Sequence, residues 1–191
     1  MRTIKEKVKQ EIIIKNSRFI TILFPLETNN ISSYLEEAKK EYPKASHYCY
    51  AYIFGKEGGF SDDGEPSKTA GSPMYNVLEK EQLNNVLAIT IRYFGGIKLG
   101  AGGLVRAYTK SLTEALKISC FQELREAYKI KIYFNYKEEK QINYLLSDAP
   151  IIEKNYTLNP FYVAIIEKNQ LTKLYNYSYE IIEECYKKID S

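Results

Sequence analysis

The sequence predicts an α+β protein in two parts, and three observations carry that reading. Asn85 to Phe94 is an apolar, β-branched run of strand length without proline, the pattern of a strand covered on both faces. A glycine cluster follows it (Gly95, Gly96, Gly100, Gly102 and Gly103) and leads into the most regular amphipathic stretch of the chain, Leu104 to Lys117. Past residue 120 the pattern resets to a β-α-β-β-α-(β) order, a split βαβ layout. The boundary falls near residue 125, giving parts 1–125 and 126–191 with no long linker between them.

In order, Ile12 to Ile14 and Phe19 to Phe24 are apolar runs separated by Asn16-Ser17 and closed by Pro25, which predicts a hairpin. Asn29 or Asn30 then caps a helix, in which Ile31, Tyr34, Leu35, Ala38 and Tyr42 recur at helical spacing until Pro43 stops it. His47 to Phe54 alternates as a strand, with His47, Cys49, Ala51 and Ile53 on one face and Tyr48, Tyr50, Tyr52 and Phe54 on the other. Gly58 to Pro73 is rich in turn formers and precedes a short helix around Met74, Val77 and Leu78. After the glycine cluster, Leu104, Ala107, Tyr108, Ser111, Leu112 and Ala115 share one helix face. In the second part, Tyr128 to Phe134 alternates as a strand and Lys137 to Leu146 reads as a helix. Ile151 to Leu158 and Phe161 to Ile166 form a hairpin turning at Asn159-Pro160, with a helix over 170–177 after it. Tyr179 to Cys185 is read as a last strand, although the spacing of Ile181, Ile182, Cys185 and Ile189 also suits a helix.

Apolar content of 45% and charged content of 27% are those of an ordinary globular protein. No apolar run approaches membrane-spanning length and no leader pattern opens the chain, so a cytoplasmic protein without membrane contact is expected. Three cysteines without paired spacing exclude a zinc knuckle or a disulfide framework. The net charge is +3, and the whole excess lies before residue 125. That imbalance hints at an anionic partner.

Bare amides between a strand and a helix N-terminus are a natural seat for an anion, and Arg92, Lys98 and Arg106 surround them. No Gly-Lys-Ser/Thr closes the run, and Val105 stands where a dinucleotide fingerprint needs glycine. The same glycines would also let a tight loop pass beneath a neighbouring element, and both readings stand. Arg106, Lys110 and Lys117 form a basic stripe, either plain solvated surface or a phosphate-backbone contact. Asp62, Asp63 and Glu65 could gather magnesium or place a base near His47; the alternative is turn chemistry alone. His47 is the only histidine, and nothing assembles a nucleophile, a base and an orienting group, so no catalytic residue is assigned.

His47-Tyr48-Cys49-Tyr50-Ala51, Ser61-Asp62-Asp63-Gly64-Glu65-Pro66-Ser67, Thr69-Ala70-Gly71 and the block from Arg92 through Ala107-Tyr108 closely resemble the YigZ/IMPACT family. The match spans essentially the whole chain. The resemblance implies an N-terminal two-layer α+β domain of the ribosomal-protein type (domain 2-like), also used by GHMP kinases. It further implies a C-terminal ferredoxin-like domain similar to the last domain of elongation factor G. Eukaryotic relatives are translation regulators that interfere with activation of a stress kinase through a ribosome-associated partner. Some bacterial members have been labelled proline dipeptidases, for which this sequence lacks a His/Asp/Glu ligand set. Lys68 stands where bacterial relatives usually carry glycine.

The function expected first is a non-catalytic, translation-associated binding protein that engages RNA, the ribosome or another anionic partner through the glycine-loop cleft. Arg92, Lys98 and Arg106 would supply charge, with His47 and Lys68 at the edge. The alternatives are a phosphate- or nucleotide-dependent enzyme with magnesium on the acidic loop, and a protein-interaction module docking on the C-terminal sheet.

Overall fold

In the computed structural model, which describes residues 1–189, the chain divides into two units, Met1–Glu123 and Leu124 onward. The last two positions of the 126–191 span lie outside the described residues. The first unit contains β1 (Arg2–Ile4), β2 (Val8–Ile14), β3 (Ser17–Pro25), α1 (Ile31–Glu41), β4 (His47–Phe54), β5 (Glu57–Ser61), α2 (Gly71–Lys80), β6 (Val86–Tyr93) and α3 (Ala101–Lys117). β7 (Phe121–Tyr133) starts here, its first residues pairing with β1 through Ile4 and Phe121, and runs on into the second unit.

Five antiparallel strands form the main sheet in the order β2-β3-β6-β4-β5. β6 lies at its centre because its side chains from Val86 to Arg92 are all buried, which only a strand with neighbours and cover on both faces can achieve. Val86 and Ala88 join the core under α2 and α3, with Met74, Leu78, Leu104, Tyr108 and Leu112. Leu87, Ile89 and Ile91 join a second core under α1, with Ala38, Tyr34 and Leu35. The first unit is therefore three layers thick, a correction to the two-layer expectation, because an apolar strand of period one needs helices on both sides. β4 divides as its alternation requires, Cys49 and Ala51 towards α2 and α3, Tyr48, Tyr50 and Tyr52 towards α1. Ser111 lies on the apolar face of α3 because its hydroxyl meets Thr21 Oγ1 at 2.7 Å, and Thr21 in turn meets Thr90 Oγ1 at 2.8 Å.

In the second unit β7 lies between β9 (Phe161–Glu167) and β10 (Tyr179–Ile189), and β8 (Ile151–Asn155) pairs with the far side of β9. Ile130, Ile132, Tyr162, Ala164 and Ile166 of the sheet bury Ile142 and Leu146 from α4 (Glu139–Leu145) and the turn after it. The predicted helix over 137–146 begins as a 3₁₀ turn at Tyr136–Glu138, fixed by a capping box between Asn135 and Glu138. The helix expected over 170–177 is instead a 3₁₀ segment, Lys168–Leu174, that buries only Leu174. The last segment is a strand: Ile181 and Ile182 are each 49% exposed, so no one-sided helical face forms. β1 and β5 escaped the sequence reading, being short, and β5 carries Gly58-Gly59, poor strand formers. Asn30 precedes α1 without a side-chain cap. Among the described residues no helix is long and apolar enough to cross a membrane.

Candidate functional site

Antiparallel register sets His47 of β4 opposite Arg92 of β6, at the end of the sheet where the glycine run leaves it. The loop after β5 folds back over this end. Its shape is fixed by Asp62, whose Oδ1 accepts the amides of Ala70 and Gly71 at 2.9 and 2.8 Å and whose Oδ2 accepts that of Lys68 at 2.7 Å. Asp62 thus closes the N-terminus of α2 from nine residues upstream. Asp63 accepts the Tyr48 amide at 2.6 Å, and its carbonyl oxygen meets His47 Nδ1 at 2.8 Å. A carbonyl only accepts, so Nδ1 carries the proton and Nε2 faces Glu65, 3.8 Å from Oε2. Lys68 holds φ at +61°, a left-handed conformation that glycine adopts without strain.

Glu65 is the buried centre of the arrangement. Its Oε1 accepts Arg92 Nη1 at 2.6 Å and the Tyr108 hydroxyl at 2.8 Å. The Arg92 and Glu65 side chains are 6% and 3% exposed. Such a pair is costly to break singly, because the survivor is left charged and dry. Arg92 also packs against the rings of Phe19 and Phe94, each centroid 5.4 Å from its guanidinium carbon. Among the described residues its Nε finds no hydrogen-bond partner. Cys49 Sγ lies 3.3 Å from the Tyr108 oxygen and 3.0 Å from the Asp62 carbonyl, and burial pushes its thiol up to about 12. It is an inert core thiol at neutral pH.

Arg92 therefore enters the site as half of a neutralised pair, a correction to its expected role as a free cation. For the acidic loop it is the magnesium alternative that is corrected. Asp62 is spent on α2, Asp63 on Tyr48, and Glu65 on Arg92 and Tyr108, so a magnesium set does not converge. Among the described residues no group of three or more His, Cys, Asp or Glu is placed to hold a metal.

The five glycines divide by task. The Gly95 amide donates to Ser17 Oγ at 3.1 Å, and a methyl group on Gly95 would overlap the Asn16 backbone. That glycine serves close packing. Gly96 and Gly100 hold φ of +83° and +70° in open space. Gly102 and Gly103 lie in the first turn of α3, which no side chain among the described residues caps. A cavity of about 280 Å³ opens here, lined by Glu65, Pro66, Arg92, Phe94, Lys98, Leu99, Gly100, Ala101 and Leu104. Lys98 and Arg106 are exposed, and the Arg106 Nη1 would stand 3.6 Å from a methyl on Gly102, which places it beside the α3 N-terminus. His47 reaches the cavity only through Glu65, and Lys68 does not line it. Phe94, Leu99 and Tyr108 were not singled out as site residues from the sequence. Tyr108 alone left a signal, since a tyrosine on a buried helix face needs a partner for its hydroxyl.

Fold and site together define a two-unit α+β protein with a small, mostly apolar cleft at a glycine-rich helix N-terminus. The Impact N-terminal domain matches residues 15–116, more than half of the chain. The chain is 48% identical over 118 residues to the IMPACT family member YvyE of Bacillus subtilis, the alignment covering 60% of this chain and 54% of that protein. It is 36% identical over 151 residues to the IMPACT family member YigZ of Escherichia coli, covering 75% of this chain and 74% of that protein. A crystal structure of a hypothetical protein superposes with a TM-score of 0.71 and 30% identity, over 95% of this chain and 97% of that one. In its match to YvyE the chain spans about half of the relative's length. The chain belongs to the IMPACT/YigZ family.

Proposed function

We propose that this chain is a non-catalytic, translation-associated binding protein whose glycine-loop cleft engages an anionic partner, RNA or a ribosomal surface. The observation that carries the reading is the uncapped first turn of α3 opening on a cavity beside Lys98, with Arg106 on the same turn. Free amides at the positive end of a 17-residue helix, with cations beside them, attract negative charge. The link to translation comes from the family, whose eukaryotic members regulate it.

The finer fold assignments belong to the same reading. The strand order β10-β7-β9-β8, in chain order fourth, first, third and second, supports a ferredoxin-like domain over 126–191. Residues 1–125 are taken as the ribosomal-protein-type domain. The test is binding of ribosomes and of single-stranded RNA across a salt series. Affinity is expected to fall steeply with salt, and Lys98→Glu or Arg106→Glu to weaken it, each lowering the log–log salt slope by about 0.7. Affinity indifferent to salt and to both variants overturns the proposal.

A further inference from the structure

We infer that a second copy of this chain adds antiparallel to the outer edge of β10, joining the two C-terminal sheets about a two-fold axis at Cys185. This surface belongs to the second unit, whereas the glycine-loop cleft belongs to the first, so neither reading depends on the other.

Among the described residues β10 pairs with β7 alone, so no strand lies along its other edge. An unpaired strand edge is a template for another chain unless something blunts it. At the far edge of the same sheet, β8 is five residues long and its register shifts between Ile151 and Glu153, two features that discourage pairing. β10 runs for 11 residues without proline or glycine. Glu180 to Glu184 are exposed without interruption, and Ile181 and Ile182, on opposite faces, are each 49% exposed. Charge on an edge strand also discourages pairing, but here it is sorted by sign. Glu180, Glu183 and Glu184 precede Cys185, while Lys187 and Lys188 follow it. Parallel pairing of two copies would set like charges together; antiparallel pairing sets acid against base. The strand is complementary to itself.

Residues directly opposite in an antiparallel pair share a face, and a two-fold axis normal to the sheet keeps every residue on its own face. The axis therefore falls on one residue and its own copy. Placed at Glu183, Glu184 or Lys187, it would set a charge against itself. Placed at Cys185, it sets Glu183 opposite Lys187 and Ile181 opposite Ile189, each twice. At Tyr186 the Glu184 and Lys188 charges would also match, but Ile181 would no longer meet Ile189. Within one chain Glu183 lies 3.3 Å from Lys129, and Lys187 lies 3.5 Å from Glu167. Alternation puts Glu183 and Lys187 on one face. Across the axis the charges then run Lys129, Glu183, Lys187, Glu167, alternating in sign, and two such rows form. Unlike charges and apolar pairs set directly opposite are what hold neighbouring strands in register.

The test uses the full chain. Sedimentation equilibrium in reducing buffer, from micromolar to millimolar protein, is expected to show a monomer–dimer equilibrium. Glu183→Lys sets a cation against Lys187 on both sides of the axis and is expected to weaken the dimer about tenfold or more, with Glu183→Gln between it and wild type. Glu183 is 57% exposed, and equal thermal melts of the variants check the fold. In Cys120→Ser, Cys49 being buried, Cys185 is the accessible thiol, and oxidation with copper phenanthroline is expected to link Cys185 to its own copy. That measurement keeps the wild-type β10 edge and decides the matter if Glu183→Lys does not fold. A chain that stays monomeric at millimolar concentration overturns the inference. A dimer that resists Glu183→Lys, or that does not cross-link through Cys185, has its interface elsewhere and overturns it too.

Discussion

Burial of Cys49 beneath Tyr108 pushes its thiol up to about 12, and desolvation raises the Tyr108 hydroxyl as well. In the unfolded chain both groups lose their protons sooner, so above the ordinary thiol value the folded state binds more protons than the unfolded one. Stability therefore falls as pH rises from about 9 towards 12, by up to about 1.4 kcal/mol per pH unit for each such proton. Cys49→Ala is expected to flatten that alkaline limb by up to one proton's worth, whatever it costs in packing. Urea titrations between pH 8 and 11 read the slope directly. A single chain could show that Cys49 faces the core, because its strand alternates. It could not show which carboxylate Arg92 meets, since Glu65 lies 27 positions earlier in a loop whose path only the fold decides.

At the scale of the element, the loop from Asp62 to Ala70 behaves as an extended cap for α2. Asp62→Ala strips three amides of their acceptor at once. A loss of about 2 kcal/mol is expected, the upper end of what helix caps contribute, with Asp62→Asn recovering part of it. Chemical denaturation of the two variants against wild type checks this. The strands and helices of the sheet were legible because burial imposes a period, 2 along β4 and 3.6 along α3, and an unbroken run in β6. The carboxylates of the acidic loop left two readings open for the opposite reason. Three acids in four residues look alike whether they gather a cation or satisfy backbone amides, and no periodicity separates the two. The 3₁₀ segment Lys168–Leu174 was similarly hidden, because its one buried anchor, Leu174, leaves no repeat to read.

For the whole molecule, each unit buries its own core: Leu87 and Ile89 with α1 and Met74 and Tyr108 with the other helices in the first, and Ile142 with Ile130 and Tyr162 in the second. The cavity is lined wholly from the first unit. Ile142→Ala is therefore expected to cost about 2–5 kcal/mol in the second unit while leaving affinity for single-stranded RNA at the wild-type value. Calorimetry and anisotropy on the same variant check the two halves of that statement. Gly95 has a last consequence for the molecule. Its backbone lies flush against Asn16 and hangs from Ser17, so the mouth of the cleft is suspended from the bend joining β2 to β3. Lengthening or stiffening that bend is then a way of retuning the cleft's ligand affinity without altering a single lining residue.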